Sequence, residues 1–345
     1  MTGRCREEAC NSAQNEVESG LHIADMPDSI ATAVEIPGSD KSMNRKAERY
    51  QVVLDEPCVP MATRFSVDSE STYDSPCLCG EASPLGLLII NADDWGRDYE
   101  TTARTLDCAL HRTISSVSAM VFMQGSEQAA AIAQESGIDA GLHLNFTTTF
   151  SASCTPTRLI EHQQRLCRYL LRQRLSQCVF HPGLAASFEY VVKAQLEEFR
   201  RLYGEEASRI DGHHHMHLCA NVLFGGLLPA GTIVRRNVSF APGEKSWGNR
   251  FYRKIVDRVL ARKHPLVDLF FSLSPLGPSS RLDRIFSSGC HSVVELETHP
   301  MNSEEYGFLT GAEVWRRVGD LKIATRYAVP RVERNERTRR SAETQ

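Results

Sequence analysis

Short runs of branched apolar residues alternate with longer segments whose apolar residues recur at helical spacing. An unbroken apolar run is typical of a strand buried on both faces, whereas apolar positions three and four apart indicate a helix. The first run is Leu87-Leu88-Ile89-Ile90, and a helix is predicted directly after it over residues 98–111. Further strands are predicted over 117–122, 138–145, 209–211, 233–235, 267–271 and 293–296, and further helices over 127–134, 155–177, 185–203, 251–262 and 312–321.

This alternation of strands and helices predicts the α/β class, with a parallel sheet or a (β/α) barrel. No internal repeat interrupts it, and a stretch of roughly 245 residues is the usual size of one barrel domain. We therefore expect a single catalytic domain over residues 85–328, followed by a charged flexible tail over 329–345. Residues 1–84 are rich in Ser, Glu, Asp and Pro, and this composition predicts a disordered N-terminal leader.

Composition and charge bear on location and partners. The chain has 345 residues, and its formal net charge of −4 gives no electrostatic case for binding nucleic acid or an anionic membrane. Its apolar runs are far shorter than the roughly 20 residues that cross a bilayer, so no membrane span is predicted. An odd cysteine count of 11 and no secretion-signal pattern favour free thiols in a reducing cytosol, which predicts a cytoplasmic protein.

Polar clusters follow four of the predicted strands, at the points where those strands end. Each cluster alone has a simpler explanation, such as a helix-capping turn, a core histidine or a metal-scavenging surface tract. Together, however, one carboxylate and two imidazoles from separate strands are the ligands expected of a catalytic divalent-metal site with open positions. The clusters are Asp93-Asp94, His143-Leu144-Asn145, His213-His214-His215-Met216-His217 and Glu297-Thr298-His299.

Two of these clusters carry expectations about local backbone structure. Asp93 and Asp94 are neighbours, so their side chains converge on one ligand only where the strand breaks, and Gly96 permits that break. In an extended segment, His213, His215 and His217 would share one face.

Four segments resemble, in order, the motifs of the YdjC-like carbohydrate deacetylases, a family that includes chitooligosaccharide deacetylases and hopanoid-associated members. The segments are Asn91-Ala92-Asp93-Asp94-Trp95-Gly96, Gly141-Leu142-His143-Leu144-Asn145, Asp211-Gly212-His213-His214-His215-Met216-His217 and Thr298-His299-Pro300. The resemblance covers roughly residues 85–325. It implies a distorted (β/α) barrel that hydrolyses N-acetyl groups of sugars with a divalent cation, commonly Mg²⁺.

The resemblance also implies roles for individual residues. Asp94, His143 and His213 would bind the metal, and Asp93 would be the catalytic base. His299 would act as the acid or bind substrate. Mg²⁺ is the expected ion, with Zn²⁺ or another divalent ion as the alternative. Four further residues would support the ligands or contact the substrate: Asn145, His215, His217 and Trp95, the last standing where the family usually has phenylalanine.

The leading hypothesis is a metal-dependent hydrolase that removes N-acetyl groups from an acetylated oligosaccharide or a related small glycan. One alternative is a metal-dependent hydrolase of another amide, an ester or a phosphoester. The other is a relative without catalysis that binds metal or carbohydrate. The expected partner is the small glycan, with no nucleic acid; a homodimer, the glycan's identity and the native metal are left open.

Overall fold

The computed structural model describes residues 86–173, 175–241 and 243–329; the predicted leader and nearly all of the predicted tail lie outside these ranges. Seven β-strands form one sheet. They are β1 (Leu87–Trp95), β2 (Ser116–Ala119), β3 (Ala140–Leu144), β4 (Arg209–Gly212), β5 (Ile233–Val234), β6 (Leu269–Ser272) and β7 (Val293–Thr298).

All neighbouring strands are parallel, in the order β5-β4-β3-β2-β1-β7-β6. The sheet is curled. Beyond β5, the Ser239 amide donates to the Phe270 carbonyl of β6 at 2.7 Å, so an irregular segment joins the edges where an eighth strand would stand. The distorted (β/α) barrel predicted from the sequence is confirmed.

Helices connect the strands and cover the outside of the sheet, as parallel pairing requires. They are α1 (Tyr99–Leu110), α2 (Ser126–Ser136), α3 (Thr157–Leu170), α4 (Ala185–Tyr203), α5 (Ala220–Gly225), α6 (Trp247–Leu260), α7 (Ser279–Ser288), α8 (Ser303–Thr310) and α9 (Ala312–Val318). None of these helices is long and apolar enough to cross a membrane.

The helix predicted over 155–177 ends early, at Leu170. Beyond that point the apolar residue that would continue the buried face, Leu175, is 71% exposed. The Tyr169 hydroxyl instead donates to the carbonyls of Ser176 and Val179, which fixes the chain in a return turn. The helix therefore ends where it has no further apolar surface to bury.

The two faces of the sheet have different chemistry. On β1, Leu88, Ile90 and Ala92 point outward to the apolar core beneath the helices, while Asn91 and Asp93 point inward. The inner face of the other strands adds serines, arginines, histidine and carboxylates, all buried. The barrel interior near the mouth is therefore a polar network, and the apolar core lies between sheet and helices.

Candidate active site

Both acidic residues of β1 reach the mouth of the barrel because the strand is irregular at Asp94. The backbone of Asp94 has φ +64°, in the left-handed region, and the pairing of β1 with β2 shifts between Ala92 and Trp95. Gly96 is also left-handed, with φ +83°, but the irregularity begins two residues earlier. The break that the sequence placed at Gly96 thus occurs as an irregularity at one of the carboxylates itself.

Asp94, His143 and His213 form a buried triad at this mouth. Asp94 Oδ1 lies 3.3 Å from His143 Nε2 and 2.9 Å from His213 Nδ1. Their donor atoms all lie within 4.8 Å of one another. Asp94 Oδ1, His143 Nε2 and His213 Nε2 are buried and have no hydrogen-bond partner among the described residues. Buried polar atoms without partners are costly unless a ligand binds them.

The orientation of His143 is fixed by Asp211 on the neighbouring strand. His143 Nδ1 donates to Asp211 Oδ1 at 2.7 Å, which turns Nε2 toward Asp94. A carboxylate behind a histidine is the usual support of a metal-binding imidazole. Burial lowers the pKa of His143, but Asp93 and Asp211 outweigh it and raise the pKa to about 10. The surroundings of this ring therefore favour a positive charge at its position.

These three residues fit a divalent cation. One carboxylate and two imidazoles suit such an ion, and the atoms that face one another, Asp94 Oδ1, His143 Nε2 and His213 Nδ1, are the donors that a cation would engage. The negative surroundings, which otherwise hold a proton on His143, favour the same charge.

Asp93 lies beside the triad but has a different environment. Arg235 donates to both of its oxygens, at 2.7 Å to Oδ2 and 2.8 Å to Oδ1, and Asn91 donates to Oδ1 at 2.8 Å. Oδ2 accepts the Arg235 bond and lies 3.9 Å from His143 Nε2, and Glu297 also contacts this carboxylate. Burial raises the pKa of Asp93, but Arg235 and His143 outweigh it and hold the pKa well below its usual range.

Arg235 is the residue of the site that the sequence reasoning missed. Its guanidinium is fully buried and contacts four carboxylates, including Asp211 at 3.1 Å and Glu295 at 2.7 Å as well as Asp93 and Glu297. A signal was available, because Arg235 directly follows β5 and so stands at the same end of the sheet as the four clusters. An arginine in a run predicted to be a buried strand needs buried acids as partners.

His299 completes the mouth on the side of β7. Its donor atoms lie within 4.8 Å of those of Asp93 and Glu297, and its amide donates to Glu305 at 2.6 Å. Burial lowers the pKa of His299, but Glu297 and Glu305 outweigh it and raise the pKa to about 9. Burial and Asp93 raise the pKa of Glu297 to about 8. Two groups that hold protons near neutral pH therefore face Asp93.

The histidine cluster after β4 is a 3₁₀ turn, His213–Leu218, and the extended segment expected from the sequence is wrong. His214 and His215 have φ of +54° and +56°, so successive rings point in different directions. His213 joins the triad, and the ring of His214 packs against it with the centroids 4.0 Å apart and the planes tilted by 35°. His215 is half-buried with Nε2 3.7 Å from Glu297. His217 is fully buried and donates to the Arg235 carbonyl at 3.0 Å.

Asn145 and Trp95 are both fully buried and bind neighbouring backbone groups. Asn145 is fully buried and ties the loop after β3, where its Oδ1 accepts from the amides of Thr147 and Thr148. That loop brings the Thr147 hydroxyl 3.0 Å from His214 Nδ1. Trp95 is also fully buried, and its indole N–H donates to the Ala129 carbonyl of α2. Of the roles expected for these two residues, only indirect support fits their positions.

Comparison with known proteins gives the family. The family model for YdjC-like protein matches residues 87–305, which include every strand and every site residue described above. The chain belongs to the YdjC-like family.

Three relatives of this YdjC-like chain are similar over different lengths. A chitooligosaccharide deacetylase of Serratia marcescens is 31% identical over 137 residues, 38% of this chain and 51% of that protein. A carbohydrate deacetylase of Mus musculus is 29% identical over 41% of this chain and 46% of its own length. A carbohydrate deacetylase of Clostridium beijerinckii is 24% identical over 70% of this chain and 92% of its own length. The chain spans about half the length of the first of these curated relatives.

Among solved structures, an Enterococcus faecalis protein whose name assigns it provisionally to cellobiose-phosphate cleavage superposes with a TM-score of 0.50. It is 18% identical and covers 70% of this chain and 97% of its own. At this identity the likeness establishes the fold alone.

Proposed function

We propose that this YdjC-like protein is a divalent-metal-dependent hydrolase that removes N-acetyl groups from an acetylated oligosaccharide. One observation carries the proposal: Asp94 Oδ1 and His143 Nε2, buried and 3.3 Å apart, have no hydrogen-bond partner among the described residues, and His213 brings its Nδ1 atom to 2.9 Å from the same oxygen. The names of the relatives, chitooligosaccharide deacetylase and carbohydrate deacetylase, support the substrate class.

In this proposal Asp94, His143 and His213 hold the ion, with Mg²⁺ as the expected metal and Zn²⁺ or another divalent ion as the alternative. When bound, such an ion would acidify water and polarise an acyl carbonyl. Asp211 keeps the His143 Nε2 atom directed at the site by accepting from Nδ1.

Asp93 is proposed as the general base. Arg235 keeps its carboxylate ionised and in one orientation, since a bidentate guanidinium pair fixes the plane of the carboxylate. The remaining lone pair of Oδ2 accepts the proton of attacking water on the side that faces His143. His299, whose surroundings favour its protonated form, is positioned to protonate the departing amine.

The proposal leaves some partners and properties as predictions. The cytoplasmic location remains a prediction from the sequence, and the oligomeric state remains open. The disordered leader and the single domain over 85–328 also remain predictions. Half-buried His215 is proposed as a substrate contact, since it lies at the mouth beside Glu297.

The test is acetate release from a panel of N-acetylglucosamine oligomers after the metal has been removed and replaced by Mg²⁺, Zn²⁺, Mn²⁺ or Co²⁺. The proposal expects acetate release with at least one metal, loss of release on chelation, and its loss in His213→Asn. His111→Asn, which alters an exposed histidine at the end of α1, is the matched control and should retain full activity.

The two alternatives give different results in the same experiment. Release of phosphate, or of a different acyl group, from related substrates without acetate would favour a hydrolase of another bond. Stoichiometric metal binding without turnover of any acetylated sugar would favour a binding protein without catalysis.

A further inference from the structure

Large apolar side chains on the surface are concentrated in one region. Twelve are exposed among the described residues, and eight of these belong to the turn after α3, to α5 and to α6. The eight are Leu175, Val179, Phe180, Phe224, Trp247, Phe251, Tyr252 and Ile255. Isolated exposed apolar residues are ordinary, but a concentration of this kind marks an interaction surface.

Helix α6 contributes the most regular part of this surface. Val256 and Leu260 face the barrel and are buried. On the opposite side, Trp247, Phe251 and Ile255 follow one another at a spacing of one turn and are 77%, 50% and 43% exposed. The rings of Trp247 and Phe251 are stacked, with centroids 5.3 Å apart and planes 10° apart. Helix α6 therefore has a second apolar stripe, which faces solvent, in addition to the one that faces the barrel.

Cations lie between these apolar side chains. Lys254 and Arg258 in α6 and Arg262 in the turn directly after it are exposed, and none of the three has an ion pair with another described residue. The acid within α6, Asp257, turns inward and binds Arg236 at 2.9 Å. We call these six residues the α6 face: the apolar Trp247, Phe251 and Ile255 and the cationic Lys254, Arg258 and Arg262. It is apolar and cationic, although the whole chain has a net charge of −4.

The α6 face begins at the mouth end of the barrel. Helix α6 follows the C-terminal end of β5, and the carboxyl ends of the strands form the mouth. Tyr252 contacts Cys178 through its side chain, and His181 exchanges two hydrogen bonds with Asn221 at the start of α5. The apolar surface thus continues from α6 to the helix that directly follows the histidine turn.

The charge and shape of the α6 face indicate what kind of partner it binds. A second copy of the chain docked by the same face would place cations against cations across the two-fold axis, which is unfavourable. The apolar side chains lie along the convex side of a helix and form no groove for a peptide. Aromatic residues with interleaved Lys and Arg on one helix side suit an anionic bilayer surface, where rings enter the interface and cations meet headgroups.

We propose that the α6 face docks the protein onto membranes that contain anionic lipids. The attachment is peripheral and reversible, because three apolar side chains and three cations are a small number of contacts. It would hold the mouth of the barrel near the bilayer surface. The inference does not depend on the proposed reaction, since no residue of the α6 face belongs to the site.

The test is co-sedimentation of the full-length protein with vesicles. Phosphatidylcholine vesicles with about a third of the lipid as phosphatidylglycerol are compared with pure phosphatidylcholine. We expect binding to the anionic vesicles only, weakened by salt. Lys254→Ser with Arg258→Ser should weaken it about 25-fold, or fivefold per cation removed. Trp247→Ser with Phe251→Ser should weaken it at least about tenfold, because the rings no longer enter the interface.

Matched substitutions elsewhere on the surface control for general effects. Trp315→Ser in α9, at a side chain 46% exposed, and Lys193→Ser in α4, at a side chain 72% exposed, should leave vesicle binding unchanged. Hydrolysis of soluble substrate and the melting temperature report whether each variant is folded. Equal binding to both vesicle types, no binding to either, or binding that the α6 variants do not weaken would overturn the proposal. So would a dimer that Trp247→Ser with Phe251→Ser dissociates while vesicle binding is unchanged.

Discussion

The mouth holds buried carboxylates in two neighbouring places, around Arg235 and in the triad, and their hydrogen bonding differs. Around Arg235, four buried carboxyl groups share one guanidinium, and the oxygens of Asp93 are held by hydrogen bonds. In the triad, Asp94 Oδ1 lies just as deep but has no hydrogen-bond partner among the described residues. The difference shows that burial alone does not make a carboxylate a ligand. Asp94 differs in that no described residue forms a hydrogen bond with its Oδ1 atom, so that atom is available to a ligand.

The comparison also explains how two adjacent residues take separate roles. Asp93 continues the inward row of β1, so it meets Arg235 across the barrel. Asp94 would point to the helices in a regular strand, but its left-handed backbone turns it to the mouth. A single backbone conformation therefore separates the carboxylate held by Arg235 from the carboxylate proposed to bind metal.

The largest expected effect on stability comes from removing the positive charge of Arg235. Arg235→Met removes the guanidinium that four buried carboxyl groups share, and breaking a buried ion cluster in this way costs about 3–5 kcal/mol. Thermal denaturation followed by circular dichroism should show a melting temperature lower by roughly 10 °C. Arg236→Met, which removes a partly exposed pair with Asp257, is the control and should cost far less. An unchanged melting temperature in Arg235→Met would contradict the role given to Arg235.

Removing the metal should affect stability less. The apolar core lies between sheet and helices, away from the triad, so the fold does not depend on the ion as a small zinc domain does. At a metal concentration of about 100 Kd, chelation should lower the free energy of unfolding by about 2.7 kcal/mol. Calorimetric melting with and without chelator measures this. Complete unfolding on chelation would mean that the triad is a structural site.

A third prediction concerns the support behind His143. In Asp211→Asn the ring loses the carboxylate that orients it, and loss of such a partner typically weakens metal affinity by about 10–100-fold. Titration calorimetry measures the affinity. Asp139→Asn, which alters the partner of Arg209 near the start of β3, should leave it unchanged. Equal affinities in the two variants would show that Asp211 serves only the Arg235 cluster.

The smallest effect on function is expected at Trp95. Because its ring is buried against α2, Trp95→Phe should lower stability by about 1–3 kcal/mol through lost packing and the lost bond to Ala129. Metal affinity and turnover should remain those of the unmodified protein. A change in substrate affinity without a change in stability would place the indole in contact with substrate after all.

The fold could be predicted from the sequence because the apolar runs of strands and the apolar spacing of helices are both local patterns. Helix α4 was predicted over its exact length, 185–203, since its apolar face and the following Gly204 act within a few residues. The polar clusters at strand ends were found for the same reason. Their convergence on one mouth, by contrast, depends on the curling of the sheet.

The features missed depend on long-range contacts. Arg235 is bound to residues 24 to 142 positions away in the chain, and no local pattern identifies such partners. The turn of the histidine cluster was also missed, because His214 and His215 adopt left-handed conformations that local preference disfavours. Tertiary contacts decide both features.

The central claim is that Asp94 binds the metal and Asp93, held by Arg235, is the base. The most direct measurement is metal stoichiometry by calorimetry alongside acetate release in Asp93→Asn and Asp94→Asn. Asp93→Asn should keep the metal and lose about 10²–10⁴-fold in turnover at saturating metal, because Arg235 retains three carboxylate partners and the site stays assembled. Asp94→Asn should lose metal binding and activity together. If Asp93→Asn loses the metal and Asp94→Asn keeps it, the roles are reversed, and if both variants bind metal and turn over normally, the account of this site is wrong.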